Sequence, residues 1–430
     1  MKDGQSRNTL YNPEEQELKR ARKPKKRFIA LFLNRSKKGE MEMETIKRYY
    51  ENAYTREFSA EVASCEPKGK AWEVVLAETF FYPEGGGQPA DVGTLGDAHV
   101  IDVKDKDGVV IHITDKPLQA GEIVEGKIEW KHRFDLMQNH SGEHILSGII
   151  CKKYNCDNVG FHMGKDAILI DFNAKIPMED VPFLEEKANE AIWNNTEVLA
   201  YYPSDRELMA LSYRSKKELF GDVRILEIPG YDRCACCGTH VAYAGAVGQV
   251  KILSLQNYKG GTRLEIVCGM RALADYQEKT ENAARISKLL SVPTNKIGDA
   301  VEAMRNERDE LKQLVSRMKW EKLQQLAAKA EVAEKLCFFI ADLDSKDLVH
   351  FADMVLDKTE GTAAVFTNAG TGYAYVLMSR KEDMRALANE MKNAFACKGG
   401  GKSVSVQGRT EAEPALWQSF FEQQGFILNK

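Results

Sequence analysis

Residues 139–150 read NHSGEHILSGII and residues 234–240 read CACCGTH. His140 and His144 sit four apart at the start of an apolar run, so on a helix they share one face, one turn apart. Two neutral imidazoles on one face can hold a metal ion, most often zinc, but zinc fills four positions. The second stretch offers Cys234, Cys236 and Cys237, with His240 four residues beyond Cys236. A histidine on an apolar helix face is more often structural, and a cysteine-rich stretch can be only buried thiols. Two i, i+4 pairs in one chain make a stronger pattern: a His3Cys set whose softness and geometry suit zinc. That pattern constrains the fold, because it ties a helix to a stretch far downstream.

The chain has 430 residues, which suggests two to four domains. Hydrophobic content of 43% and charged content of 29% fit a globular protein. No run of 18 apolar residues and no signal peptide is present, so no membrane partner and a cytoplasmic location are expected. Nine irregularly spaced cysteines argue for reduced thiols, some free for metal. The net charge of −4 hides an asymmetry: residues 1–40 hold 12 Lys or Arg against 5 Asp or Glu. Runs of this kind are usually solvated and disordered, although nucleic acid is an alternative contact.

Short runs rich in Val, Ile and aromatics fill residues 47–129, among them FSAEVASC, KAWEVVLAETFF, AHVIDVKD, GVVIHIT and EIVEGKIEW. They predict a small antiparallel barrel. Inside it, FYPEGGGQPADVG carries Gly85, Gly86 and Gly87, which permit positive φ and close backbone approach, or form an ordinary hairpin loop. The histidine helix is expected over residues 134–153, with Ile145, Leu146, Ile149 and Ile150 as its core stripe. An α+β segment follows: AILIDF and EVLAYYPS as strands, VPFLEEKANEAIWNNT and DRELMALS as helices. Over residues 295–335, Val301, Met304, Leu311, Leu314, Val315, Met318, Leu323 and Leu326 approximate a 3-and-4 spacing. This fits a coiled-coil hairpin or dimer seam, or equally an amphipathic helix packed on its own domain. Beyond residue 335, alternating strands and helices lead to the glycine-rich turn CKGGGKSVSVQGR.

HSGEH and CCGTH resemble the HxxxH and CxxxH pair of the alanyl-tRNA editing family, the free-standing relatives of the alanyl-tRNA synthetase editing domain. FYPEGGGQPADVG resembles that family's glycine-rich signature, and CKGGGKSVSVQGR resembles the DHHA1-type domain of its longer members. The resemblance covers residues 45–430 and leaves out the basic first 40 residues. It implies one Zn2+ per protomer on His140, His144, Cys236 and His240, with Cys236 preferred over Cys234 and Cys237 because it alone gives the family spacing. It implies substrate contacts at Gly85, Gly86, Gly87, Gln88 and Lys165 and tRNA contacts at Lys398, Lys402 and Arg409; Glu143, where the family often has a small or polar residue, and His162 are the candidate catalytic residues, to sense a serine hydroxyl or, for Glu143, to handle protons.

The resemblance further implies an α+β multidomain chain. Residues 1–43 form a basic extension, 44–132 a β-barrel with the glycine-rich loop, and 133–275 a zinc editing domain. Residues 276–335 form a helical linker and 336–430 a DHHA1-type tRNA-binding domain, with a homodimer possible through either. The implied reaction is hydrolysis of the ester of mischarged tRNA(Ala), chiefly Ser-tRNA(Ala) and also Gly-tRNA(Ala). Zinc would either acidify a water or bind the substrate while a separate water attacks; four protein ligands favour a labile ligand, an expanded coordination shell or the second route. Three alternatives stand beside it: threonyl-type editing of another tRNA, a non-catalytic zinc and RNA-binding relative, and an H-x-x-E-H peptidase with Glu143 as base.

Overall fold

The computed structural model describes residues 44–215, 222–359 and 361–429; the basic extension expected over residues 1–43 lies outside them. The chain is a mixed α+β protein of two compact units, Met1–Asn282 and Ala283–Lys430. The division falls inside a helix, Gly269–Leu290, within the span expected to be a linker.

Six strands of the first unit close into a barrel: β1 (Glu57–Lys68), β2 (Ala71–Leu76), β3 (Gly93–Leu95), β4 (Ala98–Lys106), β5 (Val109–Thr114) and β6 (Ile123–Ile128). The order around it is β1–β2–β5–β4–β3–β6, antiparallel throughout. Period-2 alternation supplies the interior: Val124 and Ile128 of β6 turn inward with Val62, Val74, Val100 and Val103. β1 serves two neighbours because a register shift between Val62 and Ser64 bends it, so its first half pairs with β6 and its second with β2.

β6 runs directly into α1 (Trp130–Tyr154), capped by Glu129 and closed by Asn155 at φ 48°. The helix begins four residues before the expected start, and residues 136–148 are buried on every side. It is therefore a central helix rather than an amphipathic one. Around it lie a four-stranded sheet and a three-stranded sheet. The first has the order β12 (Val250–Tyr258), β13 (Gly261–Cys268), β8 (Ile168–Phe172), β7 (Asn158–Met163). The second is β9 (Leu199–Tyr201), β10 (Ile225–Ile228), β11 (Asp232–Ala235). Two glycines let the strands come close: a Cβ at Gly142 would lie 2.4 Å from Cys268 Sγ, and one at Gly148 2.3 Å from Tyr231 O. α2 (Val181–Trp193) completes this core, and α3 (Asp205–Ala210) is held by a Ser204–Glu207 capping box.

The second unit is a mixed six-stranded sheet in the order β17 (Cys397–Lys402), β18 (Ser405–Thr410), β16 (Gly372–Ser379), β15 (Thr362–Ala369), β14 (Lys335–Phe339), β19 (Ile427–Asn429). Alternate residues face opposite layers. Leu336, Ala363, Val365 and Val376 pack with Phe351 and Val355 of α6 (Ser345–Leu356). Cys337, Ala364, Phe366 and Tyr375 pack with Met391 of α7 (Met384–Ala394) and Trp417 of α8 (Pro414–Gln423). The long helical run is two helices, α4 (Gly269–Leu290) and α5 (Ile297–Lys329), broken around Pro293. Leu323 and Ala327 of α5 are buried, whereas Val301, Met304, Leu311, Leu314, Val315 and Met318 are exposed. No helix among the described residues is long and apolar enough to cross a membrane.

Candidate metal centre

α1 presents His140 and His144 with their rings stacked 5.1 Å apart, and the loop after β11 brings Cys236 and His240 to them. One donor atom from each of the four lies within 4.8 Å of every other, and all four residues are at least half-buried. Cys236 Sγ stands 3.5 Å from His140 Nε2 and 3.6 Å from His240 Nε2. With Zn–N of about 2.05 Å and Zn–S of about 2.3 Å, a tetrahedral ion sets its nitrogen and sulfur ligands about 3.6 Å apart. These two sulfur–nitrogen edges have the length that zinc would set. His144 Nε2 is buried with no hydrogen-bond partner, which a ligand bond would satisfy. The donor set fits zinc.

The outer nitrogens of both helix histidines are held. His140 Nδ1 donates to Gln88 Oε1 at 2.7 Å, and His144 Nδ1 donates to Asp232 Oδ2 at 2.9 Å. Each bond fixes a tautomer and aims Nε2 into the cluster. Arg214 in turn grips Asp232 through Nε and Nη2, both at 2.7 Å. The loop is clamped as well: Arg224 Nη1 donates to Cys236 O and Gly238 O, and Val241 N donates to Ser141 Oγ. A Cβ at Gly238 would sit 2.3 Å from His140 Cε1, so only glycine fits between Cys237 and Thr239.

Electrostatics match this chemistry. Burial opposes ionisation of Cys236, yet the three imidazoles, His140 foremost, draw its thiol well below the ordinary range, the direction that favours the thiolate a metal needs. Burial lowers His240 to about 3, keeping it neutral as a ligand must be. Burial also disfavours charge on His144, but Cys236, Glu143 and Asp232 together raise it well above its ordinary value; that proton is one zinc has to displace.

The glycine loop reaches this centre from the barrel. Buried Arg133 of α1 pairs with buried Asp91 and also donates to Ala53 O and Phe80 O, locking the base of the loop to the helix. Gly86 and Gly87 take φ of 59° and 88°. Gly87 lies against β7: its carbonyl accepts from Met163 N at 3.1 Å, and a Cβ there would meet the Phe161 ring at 2.6 Å. Gly85 pairs across the turn with Gln88.

The other expected site residues lie in different surroundings. Gln88 was expected to touch substrate, but it is fully buried. Its Oε1 accepts from His140 and from Thr239 N, and its Nε2 donates to Thr239 Oγ1. His162 was expected to be catalytic, but it is exposed, because the strand pleat turns it away from Phe161. Phe161, one residue earlier, stacks on His140 at 5.2 Å and 18°. Lys165 is exposed in the turn between β7 and β8. Glu143 is fully buried; Oε1 accepts from Ser147 Oγ at 2.7 Å and Asn158 Nδ2 at 2.6 Å, and Oε2 lies 4.0 Å from His144 Nε2. Cys237 is exposed, and buried Cys234 falls in a separate group with His144 Asp232. The peptidase alternative needs a downstream glutamate, and the structure supplies Cys236 and His240 instead. In the second unit, Lys398, Lys402 and Arg409 are all exposed, with Lys398 directly opposite Arg409. Strand parity puts all three on one face of the β17–β18 hairpin, and Gly399 and Gly408 turn the other way, onto Tyr375.

Sequence reasoning missed Asp232, Arg214, Arg224 and Phe161. Arg224, within the apolar run VRIL just upstream of the CxxxH motif, carried a signal that could have drawn attention to it.

A barrel whose glycine loop backs a helix carrying two members of a His3Cys cluster is the arrangement of a protein with a candidate metal centre. Residues 5–132 match the family of class II (A) tRNA synthetases, and residues 223–265 match the second additional domain of threonyl and alanyl tRNA synthetases. The first match begins inside the basic segment that the motifs had left out. The chain is similar to alanyl-tRNA editing protein AlaX-L of Pyrococcus horikoshii, 30% identical over 387 residues that span 85% of this chain and 95% of the relative. It is also similar to the alanine–tRNA ligase of Ignicoccus hospitalis, 29% identical over 383 residues, 86% of this chain but 42% of the ligase. Alanyl-tRNA editing protein Aarsd1 of Mus musculus is 29% identical over 273 residues, 59% of this chain and 66% of the relative. The chain thus spans less than half of that ligase and nearly all of the free-standing editing protein. It belongs to the alanyl-tRNA editing family.

Proposed function

We propose that the chain is a zinc-dependent deacylase that hydrolyses mischarged tRNA(Ala), chiefly Ser-tRNA(Ala), with Gly-tRNA(Ala) as a second substrate. The observation that carries this is the His140–His144–Cys236–His240 cluster, with zinc-like edges, in a chain of this family. The need for such an activity is physical. A pocket for alanine gains only about 1–3 kcal/mol of discrimination from one methylene or hydroxyl, so a second, hydrolytic site must remove the errors.

His140, His144, Cys236 and His240 would hold the ion, which supplies Lewis acidity to a water or to the ester carbonyl. The rest is the chain's own work. Gln88 and Asp232 keep the two imidazoles aimed, and Phe161 with Gly87 closes one wall over His140. Glu143, the buried carboxylate 4.0 Å from His144, is the proton acceptor in this reading. Water adds its oxygen to the carbonyl carbon and its proton passes to Glu143; the bond from that carbon to the ribose oxygen then breaks, and the departing ribose oxygen takes that proton to become the hydroxyl. Residues 336–430 act as the DHHA1-type unit, gripping tRNA through Lys398, Lys402 and Arg409 as phosphate contacts. The exposed stripe on α5 is the seam for a second copy of the chain.

The test is initial deacylation rates on Ser-, Gly- and Ala-tRNA(Ala), with and without a chelator. Serine and glycine esters should be cleaved only by the zinc-loaded protein, and Glu143→Gln should slow both together. Equal rates on Ala- and Ser-tRNA(Ala) would overturn the editing reading. A threonyl-type activity would appear as hydrolysis of another mischarged tRNA in its place.

A further inference from the structure

A row of tyrosines leads out of the metal centre and takes no part in the chemistry above. Tyr82, whose hydroxyl donates to Gly85 O in the glycine loop, meets Tyr49 edge-on at 5.4 Å. Tyr49 meets Tyr50 at 4.5 Å, and Tyr50 meets Tyr202 at 6.5 Å and 82°. The inner two rings are buried, Tyr50 is half-buried, and Tyr202 is 52% exposed. The row is moored to the ligand loop through Arg224. Its guanidinium lies 5.2 Å from the Tyr50 ring centre while Nη1 holds Cys236 O and Gly238 O. Tyr202 follows β9 and precedes Pro203, which keeps this stretch extended. Tyr50 and Tyr202 therefore form a right-angled aromatic corner, open to solvent, beside the exposed Cys237.

We infer that this corner seats the 3′-terminal base of the tRNA, with Tyr202 as the stacking platform and Tyr50 as its side wall. The inference rests on the deacylase reading. An ester on the terminal ribose that reaches Cys236 and its fellow ligands carries its base no further than one nucleoside away, and the corner is the aromatic surface fastened to that loop. Single-stranded ends are recognised by stacking on aromatic faces, which tolerates any base and suits an end shared by all tRNAs. Arg224 is already committed to the loop carbonyls, so it braces the corner and leaves the face of Tyr202 to the base.

The experiment compares 3′-O-seryl-adenosine with serine ethyl ester on the full-length, zinc-loaded protein, as the ratio of kcat/KM values. In Tyr202→Ala the ratio should fall about 5- to 150-fold, and Tyr202→Trp should restore it. An unchanged ratio in Tyr202→Ala overturns the seat. Tyr202→Leu keeps apolar bulk without a π face and replaces Tyr202→Ala if zinc analysis shows metal loss there. Titration with adenosine 5′-monophosphate, read by tyrosine fluorescence, gives a second arm independent of hydrolysis. Binding that weakens in the Tyr202 variants supports the seat even if the wild type cleaves neither ester, which would defeat the deacylase reading alone. Binding equal in wild type and variants, or none at millimolar nucleotide, overturns the seat.

Discussion

Gln88→Met is the substitution that most directly separates two accounts of the glycine loop. The side chain is fully buried and makes three hydrogen bonds: from His140 Nδ1 at 2.7 Å, from Thr239 N at 3.2 Å, and to Thr239 Oγ1 at 2.9 Å. Methionine nearly matches its volume, so the change removes the polar contacts and leaves the space filled. A buried donor left without a partner costs about 1–3 kcal/mol, and here both His140 Nδ1–H and Thr239 N–H lose theirs. Losing a partner behind a metal-binding histidine typically weakens metal binding about 10- to 100-fold, which is about 1.4–2.7 kcal/mol. The assay is competition for zinc with a chromophoric chelator at fixed pH, alongside thermal melts of the zinc-loaded and zinc-free forms. The variant should bind zinc about 10- to 100-fold more weakly and melt at a lower temperature. Wild-type zinc affinity with a raised KM for Ser-tRNA(Ala) would refute this reasoning and restore Gln88 to the substrate-contacting role that the sequence motif suggested.

Other substitutions probe the rest of the molecule. Cys236→Ala should abolish the one bound zinc per chain and Cys237→Ala should retain it, as judged by metal analysis; equal zinc in both would undo the ligand assignment. Gly238→Ala should lose zinc too, because its Cβ would fall 2.3 Å from His140 Cε1; a variant with full zinc would mean the loop can shift away from the helix. Replacing Lys398, Lys402 and Arg409 together by Ala should weaken tRNA binding and lower the salt slope of log K by about 2–3, with zinc content intact; an unaltered slope would remove these residues from the tRNA interface. Leu311→Asp with Val315→Asp should convert a dimer to a monomer in sedimentation runs, whereas a wild type that is already monomeric would refute the α5 seam.

Some of this was legible residue by residue. The spacing of His140 to His144 and of Cys236 to His240 is local, and an α-helix or a tight loop turns an i, i+4 pair into neighbouring donors without help from the rest of the chain. The barrel strands announced themselves through period-2 alternation. The helix carrying the histidines was harder to delimit, because burial from every direction erases the one-sided stripe that marks a surface helix.

What the sequence could not decide were the relations between distant segments. Gln88 and His140 are 52 residues apart, His144 and Asp232 are 88, and Cys236 and His140 are 96. No local pattern encodes such pairings; they exist because the barrel delivers the loop to α1 through Arg133 and Asp91, and because β11 runs alongside the same helix. The exposed placement of His162 has the same origin. Which of the two faces of β7 turns inward is set by its pairing with β8 and by Gly87 closing on Phe161. A shift of one residue exchanges the faces. The sequence by itself offered the candidate donors, His140, His144 and His240 with three cysteines beside the last, since donor type and spacing are chemical and local. Only the tertiary structure decided which residues aim those donors and wall the site, since that depends on long-range packing and strand register.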